Sequence, residues 1–147
     1  MDFQECINIA KESRVCHLAT NDAGHPRVRP LGMLHADDTG FYFMSHATKD
    51  MVKQLKIDNR VEVSFLAPGQ EGRPGPNLRL TGKVDFIEDL EEKRRLLKDR
   101  EEMIKRMYGV ASVDDPVVTV FRIYTGEGYS WSPEYNLKKS EVERVRF

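Results

Sequence analysis

The chain has 147 residues, of which 32% are charged, and its formal net charge is -1 at pH 7. This balance argues against a basic nucleic-acid-binding surface, and no apolar run approaches the roughly 18 residues that a membrane-spanning helix needs. With an acidic, amphipathic start unlike a signal peptide, and only Cys6 and Cys16 as cysteines, we predict a single soluble, cytoplasmic domain over residues 1–147 without nucleic-acid or membrane partners.

The first part of the chain predicts one helix followed by three strands. Apolar Phe3, Ile7 and Ala10 have helical spacing within residues 2–13. The segments that follow have strand character and are separated by turn sequences at 21–24 and 36–40: VCHLATN, RVRPLGMLH and FYFMS. Strands joined by tight turns predict an antiparallel meander.

The middle of the chain predicts a second helix and two further strands. Residues 48–57 have helical character and precede the strand RVEVSFLA. The Gly- and Pro-rich loop APGQEGRPGPN then leads into the strand NLRLTGKVDFI. A glycine inside a strand indicates a bulge or a close approach of two backbones, and we predict one of these at Gly82.

The last part predicts one long helix and two strands. Leu90, Leu97 and Ile104 recur every seven residues in a highly charged segment, which predicts one amphipathic helix over 88–108, closed by Gly109, with its charges on a solvated face. VVTVFRIYT predicts a strong strand, and GEGYSW a shorter one after a glycine turn. Strands that are mostly adjacent in sequence favour a small antiparallel barrel, mainly β with two or three helices.

Several kinds of site are excluded or poorly supported by the sequence. The four histidines (His17, His25, His35 and His46) lack the spacing of a zinc motif, so no metal site is predicted. Cys16 and His17 are neighbours in a strand and must point to opposite faces, which argues against a thiolate–imidazole pair. There is no nucleophile elbow, P-loop or GxGxxG motif.

Two segments favour ligand binding without requiring it. Arg27 and Arg29 share one face of a strand, and Pro30 predicts that this strand lies at an edge or a bulge. The backbone of such an edge is free to meet a ligand, but exposed arginines on an ordinary edge strand explain the same pattern.

The segment SHATKDMVKQL contains the predicted start of the second helix. Ser45 or Thr48 is the predicted cap, and Met51, Val52 and Leu55 form the buried face of the helix. Lys49 opposes the helix dipole unless an anion binds there, whereas Asp50 offers an alternative partner for both the dipole and the lysine. Farther along the chain, Trp131 either packs in the rim of the core or forms a flat wall for a planar ligand.

In this order, four segments of the chain resemble the FMN-binding split-barrel proteins related to pyridoxamine 5'-phosphate oxidase. The segments are HLATNDAGHPRVRPLG, FYFMSHATKDMVKQLKIDNRVEVSF, LRLTGKV and YTGEGYSW. The resemblance covers roughly Asn8 to Trp131 and is greatest to the subgroup that includes nitroimidazole-resistance-type proteins.

This resemblance implies a six-stranded antiparallel split barrel with flanking helices, which forms a homodimer with FMN at the subunit interface. It places Arg27, Val28, Arg29 and Pro30 along the flavin ring and ribityl chain. It places Met44, Ser45, Thr48 and Lys49 at the phosphate, and Gln54 close to the cofactor. Trp131 is expected to come from the partner subunit.

The function implied is that of an FMN-dependent oxidoreductase, of the flavin or nitroaromatic reductase type, with a small-molecule electron donor and acceptor. Where the larger oxidases have consecutive basic residues for the phosphate, this chain has Lys49, Asp50 and Met51, and it lacks their longer C-terminal region. Oxidation of vitamin B6 is therefore not expected. A flavin-binding protein without turnover, and a split barrel that binds F420 or heme, remain alternatives.

Overall fold

The computed structural model describes residues 1–132, 137–138 and 142–147. The strands are β1 (Val15–Asp22), β2 (His25–Asp37), β3 (Gly40–His46), β4 (Arg60–Leu66), β5 (Asn77–Phe86), β6 (Val118–Trp131) and β7 (Val145–Arg146). The helices are α1 (Phe3–Ser13), α2 (Asp50–Ile57), α3 (Leu90–Leu97) and α4 (Glu101–Tyr108), and a 3-10 turn (Lys98–Arg100) joins the last two. None of the helices in the described ranges has the length and apolar character needed to cross a bilayer.

Six of the strands close into an antiparallel barrel. In hydrogen-bonding order they run β3, β2, β1, β4, β5 and β6, and pairing of β6 with β3 closes the ring. Strand β7 is added to β6 near its end, with Arg146 opposite Glu127. The predicted fold, mainly β with a six-stranded antiparallel split barrel and flanking helices, is confirmed, and β7 is an addition that the sequence did not indicate.

Strand β2 changes partner along its length. From His25 to Gly32 it pairs with β1, and from Met33 onward it pairs with β3. A shift of register between Met33 and His35 marks the change. Within the described residues, the first part of β2 therefore has a strand neighbour on one side only, and Pro30 lies in this part. The prediction of an edge position at Pro30 is confirmed, and the backbone of the open edge is accessible.

Strand β6 is continuous over 14 residues, so the prediction of two strands separated by a glycine turn is wrong. Its glycines serve close packing instead of a turn. Gly126 lies opposite Gly82 of β5, and a Cβ on Gly126 would collide with the backbone of Thr81 and Gly82. A Cβ on Gly82 would collide with Ile123 and Thr125, which confirms the predicted close approach at Gly82.

Two hydrophobic clusters stabilise this arrangement. The barrel interior is filled mainly by aromatic and aliphatic side chains of the strands, with α1 packed against it: Leu18, Phe41, Phe43, Phe65, Leu80, Phe121 and Ile123, with Cys6, Ile7 and Ala10. The second cluster joins the outer side of β3 and β6 to the helices α3 and α4: Tyr42, Leu97, Ile104, Val118 and Val120. The alternation of these side chains along β3 and β6 is what allows each strand to serve both clusters.

The predicted single helix over 88–108 is in fact two helices separated by the 3-10 turn. Leu97 and Ile104 are both fully buried in the second cluster, whereas Leu90 is 46% exposed. The seven-residue spacing therefore identified the packed face at two of its three positions and did not reveal the break. The prediction that the charges of this segment lie on a solvated face is wrong for Lys93. This residue is only 5% exposed, and its Nζ donates to the Asp115 carbonyl. Gly109 ends α4 in the left-handed conformation, as predicted.

We expect Gly126→Ala to lower the free energy of unfolding by about 1–3 kcal/mol, because the added methyl group must displace the backbone of β5. Urea denaturation at matched protein concentration measures this change. Gly32→Ala is the control, since a Cβ at Gly32 meets nothing within 4 Å. Equal stability of the two variants would show that the glycine is not required for the close approach of β5 and β6.

Candidate functional site

A groove of about 650 Å³ lies where the open edge of β2 meets α2. Its lining residues are Asp22, Arg27, Val28, Arg29, Asp50, Lys53, Gln54 and Ile57. Four of them, Arg27, Val28, Arg29 and Gln54, are among the ten residues predicted to bind a cofactor. The others were missed, although positions 50, 53, 54 and 57 share one face of a helix and this spacing could have grouped them.

Arg29 occupies the inner side of this groove. It lies opposite Leu18 of β1, whose side chain points into the barrel, so Arg29 also faces inward. Its guanidinium donates to the Leu18 carbonyl at 3.3 Å, to Thr20 Oγ1 at 2.8 Å and to Gln54 Oε1 at 3.0 Å. Among the described residues it makes no ion pair with a carboxylate.

The electrostatic environment of Arg29 disfavours its charge. Burial lowers the pKa of its guanidinium, the neighbouring charge of Arg27 lowers it further, and Asp50 raises it. Arg27 itself is paired with Asp22, with Nε 3.1 Å from Oδ2. Lys53 adds another cation to the groove. A half-buried guanidinium without a carboxylate partner favours the binding of an anion or of hydrogen-bond acceptors.

No side chain among the described residues caps the N-terminus of α2. Lys49 is the N-cap residue and makes no capping hydrogen bond, so the predicted cap by Ser45 or Thr48 is wrong. Ser45 is instead buried in β3, opposite Thr119 of β6. The buried face predicted for this helix, Met51, Val52 and Leu55, is confirmed. The N–H groups of Val52 and Lys53 donate to the Lys49 carbonyl, so within the described residues the N–H groups of Asp50 and Met51 are the ones left without a partner at this end of α2.

Thr48 is held by His46, a residue without a predicted role. The Thr48 hydroxyl lies 2.8 Å from His46 Nδ1, and the Thr48 N–H donates to the same nitrogen at 3.3 Å. Since Nδ1 accepts from the backbone, the hydroxyl also donates to it. The His46 ring packs edge-on against Tyr108 of α4. Helix α4 thus supports the connection between β3 and α2.

Six of the ten predicted residues do not line the groove: Pro30, Met44, Ser45, Thr48, Lys49 and Trp131. Pro30 is exposed on the open part of β2, and Met44 packs into the second hydrophobic cluster. Trp131 ends β6 opposite Asn77, with the Arg79 guanidinium 5.7 Å from its ring. The structure of one chain therefore does not bring all ten predicted residues into a single pocket.

The cysteines are unsuited to nucleophilic chemistry. Burial raises the pKa of Cys6 to about 11 and that of Cys16 to about 12, and both are free thiols. Cys16 points into the barrel while His17 is exposed, which confirms that the two side chains lie on opposite faces. In the described part of the chain, no three His, Cys, Asp or Glu side chains come together as a metal site.

Comparison with solved structures gives three informative relatives. A NimC/NimA family protein from Clostridium acetobutylicum is 30% identical, with a TM-score of 0.77 and coverage of 98% of this chain and 92% of the other. A heme binding protein from Mycobacterium smegmatis is 17% identical, with a TM-score of 0.72 and coverage of 95% and 55%. A FAD-binding protein from Mesorhizobium loti is 22% identical, with a TM-score of 0.64 and coverage of 90% and 96%.

Among curated proteins, none is significantly similar to this chain. The family model described as pyridoxamine 5'-phosphate oxidase, however, matches residues 3–132. This range contains the six strands of the barrel and the whole groove between β2 and α2. The chain therefore belongs to the FMN-binding split-barrel family related to pyridoxamine 5'-phosphate oxidase.

Proposed function

We propose that this protein binds FMN in the groove between β2 and α2 and acts as a cytoplasmic, homodimeric FMN-dependent oxidoreductase of the flavin or nitroaromatic reductase type. The observation that carries the proposal is the half-buried guanidinium of Arg29, which faces the groove without a carboxylate partner among the described residues. Small molecules serve as electron donor and acceptor. Membership of the family and similarity to a FAD-binding protein support a flavin as the ligand.

The phosphate of FMN fits the N-terminal end of α2. The uncapped N–H groups and Lys49 supply donors and positive charge, which are the features that a phosphate dianion requires. Thr48 can offer its hydroxyl once the bond to His46 is exchanged. Ser45 fits less well, because its side chain is buried in the barrel wall. The phosphate site therefore depends mainly on Lys49 and the helix backbone.

The open edge of β2 fits the ring and ribityl chain. Backbone groups of Val28 and Pro30 lie on this edge, whereas those of Arg27 point to β1. The side chains of Arg29 and Gln54 face the groove from the inner side. When bound, FMN supplies the redox chemistry. The residues of this chain would hold and orient the flavin, and the guanidinium of Arg29 would favour negative charge in the groove.

A second copy of the chain is the expected partner, because three exposed apolar side chains lie on one outer face of the barrel. Val28 of β2 is 68% exposed, Val15 of β1 50% and Leu66 of β4 61%. The pairing of β1 with β2 and β4 brings these strands side by side. Trp131, which does not line the groove of its own chain, is then available to the groove of the partner.

The alternatives differ in their support. A flavin-binding protein without turnover would have the same groove, and only an activity measurement distinguishes it from the proposed oxidoreductase. Heme has a precedent in the Mycobacterium smegmatis heme binding protein, yet none of the four histidines lines the groove as an axial ligand. F420 binding would call for additional cations along the groove beyond those that the phosphate requires.

The purified protein should release FMN on denaturation, and its absorption spectrum should be that of a flavin. Chromatography of the released cofactor against FMN, FAD, riboflavin and F420 standards makes the identification. A Soret band, or a colourless protein that does not take up added FMN, would contradict the proposal. Anaerobic oxidation of NAD(P)H, with and without a nitroaromatic acceptor, then distinguishes an enzyme from a flavin-binding protein without turnover.

Lys49→Glu should weaken FMN binding by about tenfold or more, since it replaces a charge-assisted contact with repulsion of the phosphate. Fluorescence titration gives the Kd. Riboflavin, which lacks the phosphate, should bind both forms equally. Lys83→Glu makes the same charge change outside the groove and serves as the control. An unchanged FMN affinity in Lys49→Glu would exclude Lys49 from the phosphate site.

A site shared between two subunits should also show complementation. We expect the Trp131→Ala and Lys49→Glu homodimers each to bind FMN about tenfold or more weakly, while a refolded mixture regains native affinity at about a quarter of its sites if subunits pair at random. Only the mixed dimer contains a site with both native residues. Equilibrium dialysis measures the stoichiometry, and light scattering the mass. A monomer, or a mixture that binds no more FMN than its components, would refute the shared site.

A further inference from the structure

Thr20 is a buried residue that connects the three elements around the groove. It lies on β1 with 4% of its surface exposed. Its hydroxyl donates to Gln54 Oε1 of α2 at 2.6 Å and accepts from Arg29 Nη1 of β2 at 2.8 Å. Arg29 Nη2 donates to the same Gln54 oxygen at 3.0 Å. Thr20, Arg29 and Gln54 thus form a closed triangle of hydrogen bonds.

This triangle determines which way the Gln54 amide is turned. A guanidinium has donors and no acceptor, so the amide atom facing Arg29 must be the oxygen. The Thr20 hydroxyl occupies a second lone pair of that oxygen. Turning the amide over would place its NH2 group against the donors of Arg29 and lose that bond, and the Thr20 hydroxyl would have to accept where it now donates. Within the described part of the chain, the NH2 group of Gln54 has no hydrogen-bond partner, and Gln54 lines the groove.

We propose that Thr20, together with Arg29, is a positioning residue that locks Gln54 with its NH2 group presented to the groove, so that the site selects a ligand ring bearing a hydrogen-bond acceptor. Gln54 is four residues beyond the start of α2, about 6 Å along the helix axis. It therefore faces the ring portion of the ligand and not the phosphate. The identity of the ring as a flavin rests on the proposed function; the locking of the amide does not.

The locking is tested on ligand-free protein by nitrogen-15 NMR of the Gln54 side-chain NH2 signals, assigned by their loss in Gln54→Glu. We expect an ordered NH2 group in the native protein, a mobile one in Thr20→Val, and restored order in Thr20→Ser, which keeps the hydroxyl. Thr81→Val removes a comparable hydroxyl contact to Glu62 outside the groove and should change nothing. A mobile NH2 group in the native protein, or equal order in Thr20→Val, would overturn the positioning role.

The donor role is tested by flavin affinity in Gln54→Glu. A carboxylate keeps acceptor oxygens for Thr20 and Arg29 but has no proton to donate at neutral pH. We expect the Kd values of FMN and riboflavin to rise together, by about tenfold, without a fall in the melting temperature, because the carboxylate also pairs with Arg29. Weakening of FMN alone would indicate repulsion of the phosphate, and unchanged affinities would indicate no contact; either result would overturn the donor role.

The two arms separate failure of this inference from failure of the proposed function. If the native protein binds neither FMN nor riboflavin, the selection of a flavin ring is refuted along with the proposed function. The NMR comparison of Thr20→Val with Thr20→Ser requires no ligand. It still decides whether Thr20 positions Gln54.

Discussion

The change of partner along β2 is the constraint on which both the barrel and the groove depend. If β2 paired with β3 along its whole length, the backbone between His25 and Gly32 would be covered on both sides. Instead β2 pairs with β3 only from Met33 onward, and β3 also pairs with β6 and closes the barrel. The first part of β2 is left beside α2 with one edge open. The change of partner thus accompanies both the closed core and the open edge.

Arg122 and Arg29 are both partly buried, but they differ in their hydrogen-bond partners. Arg122 serves the structure, whereas Arg29 is available to a ligand. Arg122 is paired with Asp85 through two hydrogen bonds, at 3.1 and 2.7 Å, and its pKa is raised. In the described part of the chain, Arg29 has only neutral acceptors within hydrogen-bond reach, and burial lowers its pKa. Removing a cation from water is unfavourable unless it is compensated, so the incomplete compensation of Arg29 favours a negatively charged ligand.

Local patterns were sufficient to predict most strands and the helices α1 and α2, because alternation and helical spacing are properties of neighbouring residues. The resemblance of four segments, in the right order, was sufficient to predict the family. The continuity of β6 was missed because it depends on the pairing of Gly126 with Gly82 of β5. This pairing is set by the register between two strands that are distant in sequence. Thr20 was missed for the same reason: its two side-chain partners belong to other elements.

Asp50 illustrates how the structure resolves an ambiguity of the sequence. Its carboxylate was expected to answer both the helix dipole and Lys49. Asp50 does lie in the first turn of α2, where it complements the dipole, and it also raises the pKa of Arg29 across the groove. Asp50 therefore partly neutralises the cation that faces the ligand. Since this interaction opposes a bound anion, the groove is less attractive to small polyanions than its arginines alone would make it. Under the proposed function, recognition then depends on a ligand that combines a phosphate at α2 with a ring whose acceptor atoms meet Arg29 and Gln54.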